Sequence, residues 1–170
     1  MNATIRHAVH DTVPPIVDDK CHTLILGSML SPKSTAARFY YAHPQNRFWR
    51  VLAAVLDSEY VTESDERTHL ALSHGIALWD VIYSCDIVGA SDSTIKNVVF
   101  NDIEGLLNAH QSITRIFTTG GTAYRLLQKY NKAVANKLIE CAISLPSTSP
   151  QNCKISLEEL ICAYSAIAKN

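Results

Sequence analysis

The chain lacks an excess of charge of either sign: 15 Lys and Arg stand against 16 Asp and Glu, a formal net charge of -1. That excludes a global basic field, so a nucleic-acid partner would have to be met locally, near Lys33, Arg38, Arg47, Arg50 and Lys154, or by neutral donors. The five cysteines, Cys21, Cys85, Cys141, Cys153 and Cys162, form no C-x-x-C pair and are odd in number. This argues against a zinc knuckle, an iron–sulfur cluster and a disulfide scaffold, and fits buried or free thiols in a reducing compartment. The seven histidines include no H-E-x-x-H, and His69 and His74 do not share a helical face, so no metal site is expected. No apolar run is long enough to span a bilayer, and residues 1–20 lack the hydrophobic region of a signal peptide. Ser28 and Ser31 have no G-x-S-x-G context, and Gly120-Gly121 has neither G-x-G-x-x-G nor G-K-[ST]. The expectation is a cytoplasmic, monomeric protein without membrane contact, metal or other cofactor.

What is present is enough apolar material for a core: 47% of 170 residues are hydrophobic and 18% charged. One domain over residues 1–170 is expected, with 1–20 as an N-terminal extension. Thr23-Leu24-Ile25-Leu26 reads as a buried strand running into Gly27-Ser28. Apolar residues at Phe48, Leu52, Val55 and Leu56 make a helical stripe over Arg47 to Leu56, with Asn46 at its capping end. Ser64 to His74 reads as a helix stopped by Gly75, and Ile76 to Val81 as a strand. Cys85 to Ser93 reads as a polar, turn-rich loop, and Asn101-Asp102-Ile103-Glu104 as a capping box opening a helix to His110. A strand over Arg115 to Thr118 leads through Thr119-Gly120-Gly121-Thr122 into a helix from Ala123 to Tyr130. Cys141 to Leu145 is the last strand, and Ser156 with Glu159 caps the last helix.

This alternation describes an α/β fold, an open and mostly parallel sheet with helices on both faces, where ligands sit beyond the carboxyl ends of the strands. The loops at Gly27, Gly120 and Pro146 would converge there. Between the first loop and its helix lies Phe39-Tyr40-Tyr41-Ala42-His43-Pro44-Gln45-Asn46-Arg47-Phe48-Trp49. Its aromatics Tyr40, Tyr41, Phe48 and Trp49 could stack on a flat ligand that His43, Gln45, Asn46 and Arg47 orient. His43 fits either that role or a structural hydrogen bond. Thr119-Gly120-Gly121-Thr122 fits either an anion site at a helix N-terminus or a tight turn. Ser147, Thr148 and Ser149, bracketed by Pro146 and Pro150, could hold a phosphodiester backbone by neutral hydrogen bonds, or simply punctuate a connection.

Taken in order, Leu24-Ile25-Leu26-Gly27-Ser28-Met29, then Tyr40-Tyr41-Ala42-His43-Pro44-Gln45-Asn46-Arg47-Phe48-Trp49, then Leu145-Pro146-Ser147-Thr148-Ser149-Pro150 resemble the uracil-DNA glycosylase superfamily. The most similar branch is the hypoxanthine-DNA (deoxyinosine) glycosylases, with Leu78-Trp79-Asp80-Val81 and Ser91 to Asn97 extending the likeness over nearly the whole chain. Leu30 stands where that branch usually has Pro, and Thr119 where an Asn of a T-N-G turn is expected. The resemblance implies a three-layer α/β/α sandwich around a central four-stranded sheet. It also implies an enzyme that flips a deaminated base, hypoxanthine or uracil, out of single- or double-stranded DNA and hydrolyses its N-glycosidic bond without a metal.

On this resemblance Asn46 is the catalytic residue, orienting the water or the base, and Tyr41 or Phe48 stacks on the base. Gly27, Ser28 and Met29 line the pocket floor, with His43 and Thr119 beside the base. Ser147, Thr148, Ser149 and Arg47 contact DNA. Two further readings stay open: a lesion-binding protein of this fold without hydrolysis, and a free-nucleotide-binding α/β protein using Gly120-Gly121.

Overall fold

A computed structural model describes residues 4–169. Its centre is a parallel sheet of β2 (Thr23–Gly27), β3 (Ile76–Asp80), β6 (Arg115–Thr119) and β7 (Ile143–Leu145), in the order β3-β2-β6-β7. β2 is buried throughout because it has a parallel neighbour on each edge and helices on each face, which is why its sequence is an unbroken apolar run. The pleat sorts its side chains. Ile25, with Leu78 and Phe117 from the neighbouring strands, packs toward α2 (Phe48–Val55) and α7 (Leu157–Tyr164). Leu24 and Leu26, with Ala77 and Ile116, pack on the other face, toward α4 (Ile103–Ala109), α5 (Gly121–Val134) and α6 (Lys137–Glu140). The fold is therefore the expected α/β/α sandwich. Helix α3 (Ser64–Ser73) leads into β3 through Gly75, whose φ of 67° is the left-handed C′ conformation expected there. Ser156 and Glu159 close the expected capping box on α7.

A second sheet was not foreseen. β1 (Ile5–Val9), β4 (Ile82–Val88) and β5 (Lys96–Phe100) form an antiparallel sheet in the order β1-β4-β5. β4 follows β3 after Val81 alone, whose N–H donates to Gly27 O while that of Ile82 donates to Ser28 O. Half of the expected loop at Cys85 to Ser93 is thus strand, and part of the expected extension, residues 5–9, is its partner. The physical reason is alternation: Cys85 and Ile87 are buried while Asp86 and Val88 are half-exposed, a one-sided strand carrying a charge. At the start of α4 the cap is Asp102, which accepts from Gly105 N–H, and no capping box forms at Asn101. The Asn101 amide instead donates to the carbonyls of Asp80 and Ile82, tying the β3–β4 junction. A short helix α1 (Pro32–Ala37), capped by Ser31, precedes the aromatic segment.

Candidate active site

The carboxyl ends of β2, β3, β6 and β7 surround a cavity of about 650 Å³. Gly27, Ser28 and Met29 line it from β2, Asp80 from β3, Thr119 to Thr122 from β6 and α5, and Ser147 to Asn152 from the loop after β7. Tyr41, His43 and Asn46 enter from the segment between α1 and α2. Glycine is needed at two of these points. A Cβ on Gly27 would collide with Asp80 Oδ1, and Gly120 has a φ of 97° with Ser147 Cβ 3.3 Å from where its own Cβ would stand. Gly120 N–H donates to Leu145 O at 2.7 Å, so α5 begins at the cavity wall.

The aromatic segment divides sharply. Phe39, Tyr40, Phe48 and Trp49 are all buried core residues, with Tyr40 O–H donating to Pro14 O and Trp49 Nε1–H to Tyr40 O. Of the segment's aromatics Tyr40 and Tyr41 line the cavity, and Tyr41 is the less buried of the two. Its ring stacks on Phe48 with centroids 3.8 Å apart and planes 16° from parallel. Phe48 therefore has no face to offer a ligand, and the choice between the two aromatics falls on Tyr41. Tyr41 holds an unusual φ of 54°, a conformation that costs a bulky residue energy and persists where packing over-determines it. Its hydroxyl lies 3.2 Å from Thr119 Oγ1, and burial, assisted by the Asp80 charge, pushes the phenol well above its ordinary range. Burial thus favours the neutral phenol at Tyr41.

Asn46 is held at one end only. The N-cap of α2 is Arg47, one residue past the expected Asn46; Asn46 Oδ1 accepts from Phe48 N–H, the first of the helix, at 2.9 Å and from Thr148 Oγ1–H at 2.9 Å. Two donors fix the amide orientation, leaving Nδ2 with no hydrogen bond among the described residues. Thr148 is 2% exposed and its hydroxyl is committed to Asn46, so it positions that side chain and is not a free DNA contact. Arg47 is likewise redirected. Its guanidinium donates to Ile155 O at 2.6 Å and Asn152 O at 2.8 Å, bracing the loop from behind the cavity. Ser147 and Ser149 remain on the cavity rim, their oxygens accepting only local N–H groups. His43 Nδ1 accepts from Gln45 N–H at 3.1 Å, which leaves Nε2 as its free nitrogen. Leu30 is buried and also borders the cavity.

Two carboxylates that the sequence reading left unassigned also line the cavity. Asp92 accepts from Ser28 O–H at 2.7 Å; burial pushes its carboxyl above the ordinary value, against that hydrogen bond and with the help of nearby Asp80. Asp80 is 3% exposed and pairs with His10. The only sequence signal for either was the likeness around Leu78 to Val81 and Ser91 to Asn97. No lysine lines the cavity, no cluster of three or more metal-ligating side chains occurs among the described residues, and no helix there is long and apolar enough to cross a membrane.

The fold recurs in a solved structure. The solution NMR structure of a Methanosarcina acetivorans protein described as "a putative Uracil DNA glycosylase" superposes with a TM-score of 0.75, covering 92% of this chain and 97% of that one at 24% identity. No family model matches the chain. Two curated proteins named hypoxanthine DNA glycosylase do. The one from Methanosarcina acetivorans is 30% identical over 144 residues, 84% of this chain and 88% of its own, and the one from Methanosarcina barkeri is 30% identical over 108 residues, 63% and 68%. The chain belongs to the hypoxanthine DNA glycosylases.

Proposed function

We propose that this protein is a DNA glycosylase that takes a deaminated base, hypoxanthine or uracil, from the stack into the cavity and hydrolyses its N-glycosidic bond. The observation that carries this reading is Asn46, with its oxygen engaged twice and its Nδ2 free at the cavity. As the bond to C1′ lengthens, the sugar becomes oxocarbenium-like and negative charge gathers on the departing base. A preoriented N–H donor stabilises that charge without reorganising. An Asn whose oxygen is already saturated is poorly suited to draw a proton from water, so Asn46 acts on the base.

Tyr41, backed by Phe48, offers the stacking face for the extrahelical base. The hydroxyls of Ser147 and Ser149 and the N-terminal N–H groups of α5 suit phosphate contacts that need no large positive field, consistent with a net charge of -1. The absence of a lysine lining the cavity among the described residues supports simple hydrolysis, because no lysine amine there stands ready to form a Schiff base with the sugar.

The test is a panel of labelled duplexes and single strands carrying inosine, uracil, xanthine or normal bases, incubated with protein and then treated with alkali. Breaks at inosine or uracil are expected. Binding of lesion DNA with no break at any base would contradict hydrolysis and favour the lesion-binding reading.

A further inference from the structure

A strand that the proposed chemistry does not use brings a positive charge to the cavity wall. Arg6, in β1, is the one Lys or Arg among the described residues that lines the cavity; Lys33, Arg38, Arg47, Arg50 and Lys154, where the sequence would gather local charge, do not. The register of the second sheet explains its position. Arg6 stands opposite Ile87, and Ala8 opposite Cys85; those three neighbours are buried, so Arg6 is on the inner face of the sheet. Ile5, by contrast, is 66% exposed, and His7 meets Asp86 on the outer face. A charge on the inner face of an edge strand needs a partner or water. The guanidinium of Arg6 makes no ion pair among the described residues, where every such pair is made by a histidine. Asp92, the carboxylate on the same wall, is held by Ser28 instead. The wall around Arg6 is also open. Gly89 and Ala90 are exposed, a Cβ on Gly89 would meet nothing within 4 Å, and Arg6 itself is half-buried, whereas Asp80 at the floor is 3% exposed.

Resting on the DNA-glycosylase reading above, we propose that Arg6 binds a backbone phosphate of the DNA strand at the rim of the cavity. The second sheet continues from β3, at one edge of the parallel sheet, and the loop of Ser147 and Ser149 follows β7, at the other edge. Arg6 and that loop therefore hold opposite sides of the mouth. A strand of DNA crossing it meets a guanidinium on one side and neutral hydroxyls on the other. The guanidinium stays charged throughout the working pH range and presents paired donors that match phosphate oxygens. Its place at the open rim suits the backbone outside the cavity and not a base seated on the floor. One cation placed this way gives a chain of net charge -1 a local hold on a polyanion.

The experiment measures the Kd of the full chain and its variants for an inosine duplex and for the same duplex undamaged, over a salt series. Arg6→Met is expected to raise both Kd values by the same factor, about 10-fold at low salt, and to reduce the slope of log Kd against log salt by about 1. Arg6→Lys, which keeps the charge, should hold the wild-type slope. Lys129→Met, which removes an exposed cation of α5 that does not line the cavity, should hold it too. Melting temperatures report folding separately, and Arg6→Gln repeats the test if Arg6→Met does not fold. An unchanged slope in the neutral variants overturns the proposal and leaves Arg6 as a charge that only guards the β1 edge. A loss confined to the inosine duplex also overturns it, by assigning Arg6 to the base. Wild type that binds no DNA overturns both this proposal and the glycosylase reading, whereas wild type that binds but cuts no inosine overturns only the latter.

Discussion

Asn46 has one end of its amide to spare, and that asymmetry separates its structural role from the chemical one proposed for it. The oxygen accepts from Phe48 N–H at the start of α2 and from the Thr148 hydroxyl; the nitrogen has no hydrogen bond among the described residues, at a residue that lines the cavity. Tyr41 likewise has its ring stacked on Phe48 while it lines the cavity. Removing the ring should therefore weaken capture of the flipped base by about 1–3 kcal/mol, the scale of base–aromatic stacking. Tyr41→Ala is expected to raise the Kd for an inosine duplex accordingly, while Tyr41→Phe stays within a few-fold of wild type; equal losses in both would contradict a stacking role. Asp92 gives a prediction in pH. Its folded carboxyl titrates above the ordinary value of 3.8 because it is buried, so the fold favours the neutral acid. Its contribution to stability is fully present below 3.8 and is lost as pH rises through the raised folded value. Asp92→Asn, neutral throughout, should melt above wild type at pH 7 by a margin that shrinks on acidification toward 3.8. A margin that grows as pH falls would reverse the sign of this account.

Between residues and the whole stand the loop after β7 and the helix that receives it. Arg47 joins them: its backbone N–H takes Thr148 O, and its guanidinium takes the carbonyls of Asn152 and Ile155. Sequence alone offered Arg47 as a phosphate contact because a cation beside polar residues and aromatics looks the same whether it points to solvent or to two carbonyls over 100 residues away. Such bonds to a charged donor contribute about 1.5–3 kcal/mol each when sheltered and less where water reaches. Arg47→Met is thus expected to lower stability in urea by about 2 kcal/mol. It should leave the slope of log Kd for DNA against log salt unchanged, whereas losing a true phosphate contact would reduce that slope by about 1. The capping of α7 by Ser156 and Glu159 and the stop of α3 at Gly75 were legible in the sequence because both are local, written within four residues. The strand β4 was not, because Asp86 and Gly89 read as turn residues until β1 and β5 are placed on either side of it.

At the scale of the molecule, two sheets share one junction at Val81, and the cavity opens beside it. The parallel sheet was legible: Leu24, Ile25 and Leu26 form a run that only a doubly covered strand explains, and the glycines at its end point to a ligand loop. The antiparallel sheet was not, and with it went the buried His10–Asp80 pair, since their pairing spans 70 residues and leaves no local trace. The surroundings of the cavity therefore draw on both sheets, Asp80 ending β3 of the parallel one and its partner His10 following β1 of the antiparallel one. The account stands or falls on the free Nδ2 of Asn46. Asn46→Asp keeps an oxygen for Phe48 N–H and Thr148 but replaces the donor with a second acceptor, so the fold should survive while the chemistry does not. Measured as single-turnover cleavage of an inosine duplex, wild type should give alkali-labile product and Asn46→Asp about 10²- to 10⁴-fold less at a similar melting temperature. An Asn46→Asp rate equal to wild type would contradict it.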